Sequence, residues 1–575
     1  MHQGFSSSFL QMAAASEEFD LVIALDIGTR YSGYACQTVQ EFKSNPHNIW
    51  INKQWGQPME LCKTSTSLLI SSSWDAGSFG YKAEMKFCRE YDQDGEKFKQ
   101  NWFFFKDFKM ALYIQDFHDT IREDVEDYFS RKKPIVDVIS KFIELLKKDC
   151  LRNLGTNANI SETRIRWVLT VPAIWTDHAK KIMRNAAEKA GIPGEQIVLA
   201  LEPEAAAIHC MFMPLQERLG MDNLGEPGDK ILVADLGGGT LDVTGVEVQK
   251  DRTLRQIVQS NGGPWGGQSV NDAFMRACKG AFINRDGTEL LKSCIKADLL
   301  QMEIDFEKQK IEASEVHQKT GDSADIEISL PNELKENLLS RQGRSTDTDH
   351  FIIKSSGFYF RQSVIKDLLY SETINKIKIF LKRMLESKEM DGINKVILVG
   401  GLSESTLIMN EIREVLKNIP VFVPTNPFIA VLKGAILYGQ DPSIIRERIS
   451  RFTYGIGTDG RDASLSQTLS ASVLKGHRMN VNFEKWFNLS TFREIHPHGS
   501  SNEVNIPIFQ SQVECPTSVA DKSCRQLGIV RFALPDISLF SSLDFVLIHG
   551  GTELKFKFVN RNTRKQYEAT FEISQ

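Results

Sequence analysis

Two stretches carry the residue types best suited to chemistry: LVIALDIGTRYSGYA, Leu21 to Ala35, and ILVADLGGGTLDVTGV, Ile231 to Val246, about 210 residues further on. In each, an apolar run ends in an aspartate, Asp26 or Asp235, a short glycine-bearing turn follows, and a second strand-like run returns. Glycine has no Cβ, so such turns let backbone N–H groups close on an anion. Because the two aspartates hold matching places, they can carry a hydrated Mg2+ between them, an ion that takes oxygen ligands and keeps most of its waters. The duplication predicts two similar lobes with metal and phosphate in the cleft between them. A third glycine turn ends the run KVILV at Gly400 and Gly401 and opens a helix at about Ser403, with Ile408, Ile412, Val415 and Leu416 on its inner face. The N–H groups at that helix start are expected to face the same cleft, where a phosphate or ribose binds.

These turns need strands and helices to hold them. From Asp20 onward short apolar strands alternate with longer periodic segments, the pattern of an α/β lobe. After WVLTVPAIW, Thr176 or Asp177 caps a helix whose Ala179, Ile182, Met183, Ala186, Ala187 and Ala190 form one stripe, and Gly191 ends it. Between Val316 and His350 polar stretches flank one short strand, DIEISL, and read as an exposed excursion. Past about Tyr438 helical periodicity gives way to strand alternation: Leu554, Phe556 and Phe558 oppose Lys555 and Lys557, and Tyr567, Ala569, Phe571 and Ile573 share a face. The expected division is a tail over 1–19, an α/β nucleotide-binding unit over 20–440, a linker over 441–452 and an all-β domain over 453–575.

Bulk properties narrow the partners. The 575 residues, 41% hydrophobic and 25% charged, suit a soluble globular protein of several domains. A formal net charge of -5 and no long basic run argue against nucleic acid and acidic membrane surfaces. No stretch of about 18 apolar residues reads as a membrane span. Nine cysteines without CxxC or zinc-like spacing fit buried thiols in a reducing compartment, so the expected location is the cytoplasm, with the nucleus second. The N-terminal tail lacks a basic n-region and a sustained apolar core, so it does not read as a secretory signal.

Taken in order, DIGTRYSG, VPAIWTDHAKK, LEPEAAAI, DLGGGTLDV, GGPWGGQ and LVGGLSES resemble the nucleotide-binding domain of the 70 kDa heat-shock protein family from about Leu21 to Gly439. WFFFKDFKM, FVPTNP with AVLKGA, and RFTYGIG are similar to its divergent heat shock 70 kDa protein 12 branch (12A/12B). The resemblance implies an actin-like ATPase fold of two lobes and four subdomains, binding ATP or ADP with Mg2+. It assigns Asp26, Gly28, Thr29, Arg30 and Tyr31 to the first phosphate hairpin, and Asp235, Gly237, Gly238, Gly239, Thr240 and Asp242 to the second. Gly266 and Gly267 of GGPWGGQ and Gly400, Gly401 and Ser403 join the cofactor set, and Glu307, Lys310 and Ser314 match the helix that holds the ribose and base. Asp26 and Asp235 are the metal residues, through water. Glu202 matches the glutamate near the attacking water, although an acid there also caps a helix. WFFFKDFKM offers Lys106 and Lys109 as the catalytic lysine; Lys109 is carried forward, although lysines beside aromatics commonly lie along apolar surface. The aromatic run itself reads as core.

The departures from the family concentrate at the adenosine end. Arg30 stands where a second threonine is usual, which puts a cation where a hydroxyl meets phosphate. Glu404 replaces an arginine that packs on adenine, Ile311 another basic residue, and Phe428 an acid after NP. A carboxylate cannot stack on a base as guanidinium does. The segment PSIIRERISRF is basic where an apolar-acidic linker is usual, and no helical lid is visible. The leading reading is an ATP-binding, slowly hydrolysing, chaperone-like protein, with polypeptide clients on the β domain and co-chaperones or exchange factors as partners. A nucleotide-sensing interaction or scaffold protein with little turnover is the alternative. A small-molecule kinase of the same fold is a third reading, disfavoured by the terminal β domain and the lack of a substrate-aspartate signature near the cleft.

Overall fold

The computed structural model describes residues 18–573 apart from 57–59, 114–120, 156–159, 215–216, 219–220, 222, 283–290, 292–293, 295, 321–325, 331–333, 335–345, 348–350, 355–356, 362–364, 458–468, 492–501 and 517. Most of the N-terminal tail and much of the polar excursion lie outside the described residues, although the strand expected from DIEISL is present as Ile326–Ile328.

The first glycine turn joins two antiparallel strands, β1 (Leu21–Ile27) and β2 (Tyr31–Thr38). An amphipathic helix, α1 (Ile135–Leu154), covers one face of their sheet with Val138, Ile139, Phe142, Ile143 and Leu146. β3 (Ile165–Val171) then lies parallel to β1. Helix α2 (Asp177–Lys189) starts at the expected cap, where the Thr176 hydroxyl oxygen accepts from the Ala179 N–H; Ala179, Ile182, Met183, Ala186 and Ala187 are buried, and Gly191 at φ +79° turns the chain away. β4 (Ile197–Leu201) runs parallel to β3, and α3 (Glu202–Phe212), buried from Glu202 to Met211, follows it directly.

The second lobe repeats this plan. β5 (Lys230–Leu236) and β6 (Leu241–Val248) form the hairpin around the second glycine turn, and β7 (Leu254–Gly263) pairs with β6. After helix α4 (Lys296–Thr320), β8 (Lys395–Val399) lies parallel to β5. The expected helix start at Ser403 moves to Thr406: Gly401–Glu404 first makes a 3-10 turn, and α5 (Thr406–Val415) begins after it. β9 (Val421–Phe422) pairs with β8, and α6 (Ala430–Gln440) is the counterpart of α3. The strand orders are β4-β3-β1-β2 in one lobe and β9-β8-β5-β6 in the other, so the duplication read from two turns extends through four strands. The two sheets share a core with α3 and α6, built from Val22, Val168, Val233, Ile397 and Ala435. The helices cross so closely that a Cβ on Gly434 would stand 1.7 Å from the Ala205 carbonyl oxygen.

The segment expected as a linker contains a strand, β10 (Ile445–Ile449), parallel to β7 in the second lobe's sheet. Its basic character has a structural reason: the buried Arg448 donates to both carboxylate oxygens of Glu204 on α3, at 2.8 and 2.7 Å. Beyond it lie β11 (Thr453–Gly457), β12 (Leu469–Val473), β13 (Arg478–Asn480), β14 (Phe483–Asn488), β15 (Glu503–Ser511), β16 (Cys524–Ala533), β17 (Leu543–His549), β18 (Lys555–Asn560), β19 (Gln566–Glu568) and β20 (Thr570–Ile573). Two sheets, β12-β11-β15-β16-β20 and β14-β17-β18-β19, enclose one core that includes Ile456, Ile506, Val530, Phe545 and Phe558. β13 instead extends the second lobe's sheet through β10. The run Tyr567 to Ile573 is divided at Ala569: β19 pairs with β18 in one sheet and β20 with β16 in the other. Among the described residues no helix is long and apolar enough to cross a membrane, and the nine cysteines form no disulfide.

Candidate active site

The two glycine turns meet. A Cβ on Gly238 would stand 3.2 Å from the Arg30 backbone nitrogen, and one on Gly239 would stand 2.4 Å from the Thr29 hydroxyl oxygen. Each turn is closed by the same backbone bond, Gly28 N–H to the Tyr31 carbonyl at 3.1 Å and Gly237 N–H to the Thr240 carbonyl at 2.9 Å. Among the described residues, no protein acceptor takes up the amides of Thr29, Gly238 or Gly239. Beside the turns opens a cavity of about 280 Å3, lined by Asp26, Gly28 to Tyr31, Lys109, Glu202, Asp235, Gly237 to Thr240, Gly267, Glu307, Lys310, Gly400, Gly401 and Glu404. Residues named from stretches of sequence hundreds of positions apart thus share one space.

Lys109 is the lysine of the aromatic segment that enters this cavity. Asp107, at φ +55°, reverses the chain, and the turn that follows drives Phe108 into the α1 core and Lys109 toward α3. The Lys109 ammonium meets Glu202 Oε1 at 2.7 Å and lies 5.2 Å from the Trp175 ring. Lys106, at the end of the preceding strand, points elsewhere and pairs with Glu303 at 3.1 Å. Of the aromatic run expected as core, Phe104 and Phe105 are fully buried, whereas Trp102 and Phe103 are half-buried.

The carboxylates divide into compensated and uncompensated groups. Asp26 receives Lys63 Nζ at 2.7 Å and the Thr170 hydroxyl at 2.7 Å, and Lys63 and Lys109 hold its pKa below the ordinary value against the upward push of burial. Burial likewise pushes Glu307 up, but Lys310, at 2.6 Å, and Arg30 bring it down to about 2. Asp235 and Asp242 form no ion pair among the described residues. Burial first, then the charge of Glu202, raises Asp235 well above the ordinary range and Asp242 to about 7. Asp242 lies behind the cavity, opposite Asp235 in the hairpin register; one oxygen accepts from the Ile174 N–H at 3.5 Å and the other is buried without a partner.

This arrangement suits a metal-bound polyphosphate. Unclaimed amides in turns too tight for a Cβ match phosphate oxygens, and Asp235, a buried carboxylate on the cavity wall with no ion pair among the described residues, matches a cation. Among the described residues no three acidic, imidazole or thiolate groups converge tightly enough to bind a metal directly. Asp26 and Asp235, both on the cavity wall, are the residues that would hold a hydrated Mg2+.

Several expected residues take other positions. Arg30 lines the cavity as expected, but its guanidinium is engaged by two carboxylates, donating to Asp107 at 2.7 Å and lying 3.9 Å from Glu307. The Ser403 hydroxyl turns onto the Gly400 carbonyl at 2.6 Å and is absent from the cavity wall, which Glu404 and Ser405 form instead. Gly266 stands behind the wall, its N–H on the Gly239 carbonyl at 3.2 Å. Ser314 and Ile311 lie on α4 where the side chains are outside the described residues. Lys63 was not visible as a site residue, since its carboxylate partner is remote in sequence; a lysine at the entry to the strand-like TSTSLLI was the available signal. Tyr370, Leu402 and Phe428 complete the far end, where Phe428 packs edge-on to Tyr31 at 5.4 Å beneath the Lys63 ammonium at 4.5 Å.

The sequence profile described as Hsp70 protein matches residues 136–460, more than half of the chain. The chain is 29% identical to heat shock 70 kDa protein 12B of Homo sapiens over 516 residues, which cover 78% of this chain and 73% of that protein. It is 27% identical to heat shock 70 kDa protein 12A of Homo sapiens over 507 residues, with 77% and 73% covered. Chaperone protein DnaK of Thermoplasma volcanium is 27% identical over 335 residues, 56% of this chain and 47% of that protein.

Proposed function

Because the chain belongs to the Hsp70 protein family, we propose that its cleft binds ATP and hydrolyses it slowly to ADP and phosphate in a chaperone-like cycle. The observation that carries this reading is the contact of two equivalent glycine hairpins beside a cavity lined by Asp26 and Asp235. The amides of Thr29, Gly238 and Gly239 bind phosphate oxygens, and Lys109 offsets the charge of the transferring phosphoryl group. Glu202 holds Lys109 in place and accepts a hydrogen bond from the attacking water. Mg2+, held through water by Asp26 and Asp235, would supply charge neutralisation at the phosphates. Catalysis of this kind is positioning and electrostatics, so slow turnover needs no further nucleophile. The test is acid-quenched single turnover in the wild type and in Glu202→Gln. The expected result is ADP and phosphate from the wild type and almost none from the variant; no ADP, or equal rates, overturns the assignment.

The C-terminal sheets contribute polypeptide binding in this proposal, and their contacts with the first lobe link that binding to the nucleotide. The segment Ala173–Trp175 is held from both sides: Ile174 N–H reaches Asp242, while Arg451 donates to the Ala173 and Trp175 carbonyls at 3.2 and 3.0 Å. A second reading, nucleotide sensing with little turnover, is favoured by the rebuilt far end of the cavity, where Glu404 and Phe428 stand. Brisk multiple turnover with refolding of a denatured client would exclude it.

A further inference from the structure

A second cavity, of about 80 Å3, lies where Ala173–Lys180 of the first lobe, the chain from Arg448 to Tyr454 and the turn Gly550–Leu554 come together. We propose that this cavity binds a single small oxyanion of the phosphate class, and that the bound anion fastens the C-terminal sheets to the first lobe. The inference does not rest on the reading of the first cavity.

The argument is one of charge balance in a buried space. Arg448 is matched by Glu204, and Arg184 by Glu553 through contacts of 2.6 and 2.5 Å, so those charges cancel. Lys180 and Arg451 remain. Arg451 donates to the Ala173 and Trp175 carbonyls and lies 5.6 Å from the Phe452 ring, and among the described residues it forms no ion pair. Lys180 is 8% exposed, and its nearest carboxylate oxygen, on Asp177, lies at 3.9 Å, beyond a hydrogen bond. The other oxygen of Asp177 already accepts from the Tyr454 hydroxyl at 2.6 Å. Lys180, buried, and Arg451, partly exposed, thus have between them the Asp177 carboxylate as the one acid of this lining not already paired with an arginine. Burial lowers the pKa of Lys180; the Asp177 carboxylate opposes this, and the positive charges of Arg451 and Arg448 add to the lowering. Helix α2, 13 residues long, directs its N-terminal end into the same space and adds to the positive potential. On the far wall Gly550, at φ +79°, and Gly551 bring backbone close to the cavity without side chains. At about 80 Å3 against about 280 Å3, the space suits one small oxyanion and not a nucleotide.

The experiment is calorimetric titration of inorganic phosphate into the full chain, at ionic strength held constant with chloride. The expected result is saturable binding, weakened about tenfold or more in Lys180→Gln and in Arg451→Gln, as for loss of a charged hydrogen-bond donor. Binding is expected to survive in the charge-preserving Lys180→Arg, in Lys181→Gln on the next, partly exposed position, and in Lys109→Met in the first cavity. Phosphate is also expected to slow proteolytic cleavage near residues 440–460 in the wild type and not in Lys180→Gln. Absence of saturable binding overturns the proposal. So does binding that Lys109→Met abolishes while Lys180→Gln and Arg451→Gln leave it intact, since that locates the anion in the first cavity.

Discussion

Replacing Lys109 with methionine separates what the Lys109–Glu202 pair does for folding from what it does for chemistry. The charges meet at 2.7 Å with side chains only 5% and 11% exposed, so water screens them little. Their attraction is about 6 kcal/mol at an effective dielectric of roughly 20. Much of that offsets the cost of burying both groups, but removing one partner orphans the other at about 3–5 kcal/mol. Glu202, whose pKa burial already raises, relieves part of this by taking a proton, so Lys109→Met is expected to lose about 2–4 kcal/mol in urea unfolding. The single-turnover rate of ATP hydrolysis should fall about 10²–10³-fold, the usual cost of one electrostatic contact to a transition state. The double variant Lys109→Met/Glu202→Gln carries no orphaned charge and should recover most of the stability and none of the rate. A single-turnover rate within about threefold of wild type in Lys109→Met would refute the catalytic role. A double variant as unstable as the single one would refute the ion-pair reasoning.

Three further substitutions probe the frame around that pair. Gly400 sits at φ +86°, and a Cβ there would stand 2.3 Å from Asp235 Oδ1, so Gly400→Ala should cost at least about 2 kcal/mol in urea and weaken nucleotide binding; an unchanged midpoint contradicts this. Gly434→Ala presses a methyl onto the Ala205 carbonyl and should destabilise by about 3 kcal/mol or more, measured by thermal unfolding; full stability would mean that α3 and α6 lie further apart. Asp242 titrates at about 7 when folded against an ordinary 3.8, so between those values the folded state keeps a proton the unfolded chain has lost, and rising pH favours unfolding. Relative to Asp242→Asn, the nucleotide-free wild type should therefore lose up to about 1 kcal/mol per pH unit from pH 4 to 7, and a difference that is flat or of opposite sign would show that Asp242 is ionised throughout.

What could be read from the sequence was local. The hairpins around Asp26 and Asp235 announce themselves because apolar strand, acid and glycine turn are adjacent, and the α2 cap and stripe are legible for the same reason. The choice between Lys106 and Lys109 depends on the left-handed Asp107, which reverses the chain and which an aspartate alone does not advertise. Lys63 escaped, and the ion pair of Arg30 with it, because their carboxylate partners Asp26 and Asp107 are brought to them only by the fold. The basic segment before β11 read as a linker for a similar reason. The acid that neutralises Arg448 is Glu204, and the strand that pairs with Ile445–Ile449 is β7, both far back in the chain. Ser403 looked like a helix cap because nothing nearby signals that Gly401–Glu404 winds as a 3-10 turn first.

Calorimetric titration of Mg-ATP into the wild type and Asp235→Ala tests most directly whether the paired hairpins grip a metal-bound triphosphate. The account requires saturable one-site binding by the wild type, weakened about tenfold or more when the Asp235 carboxylate is removed. No saturable binding by the wild type, or equal affinity in the two proteins, would contradict it.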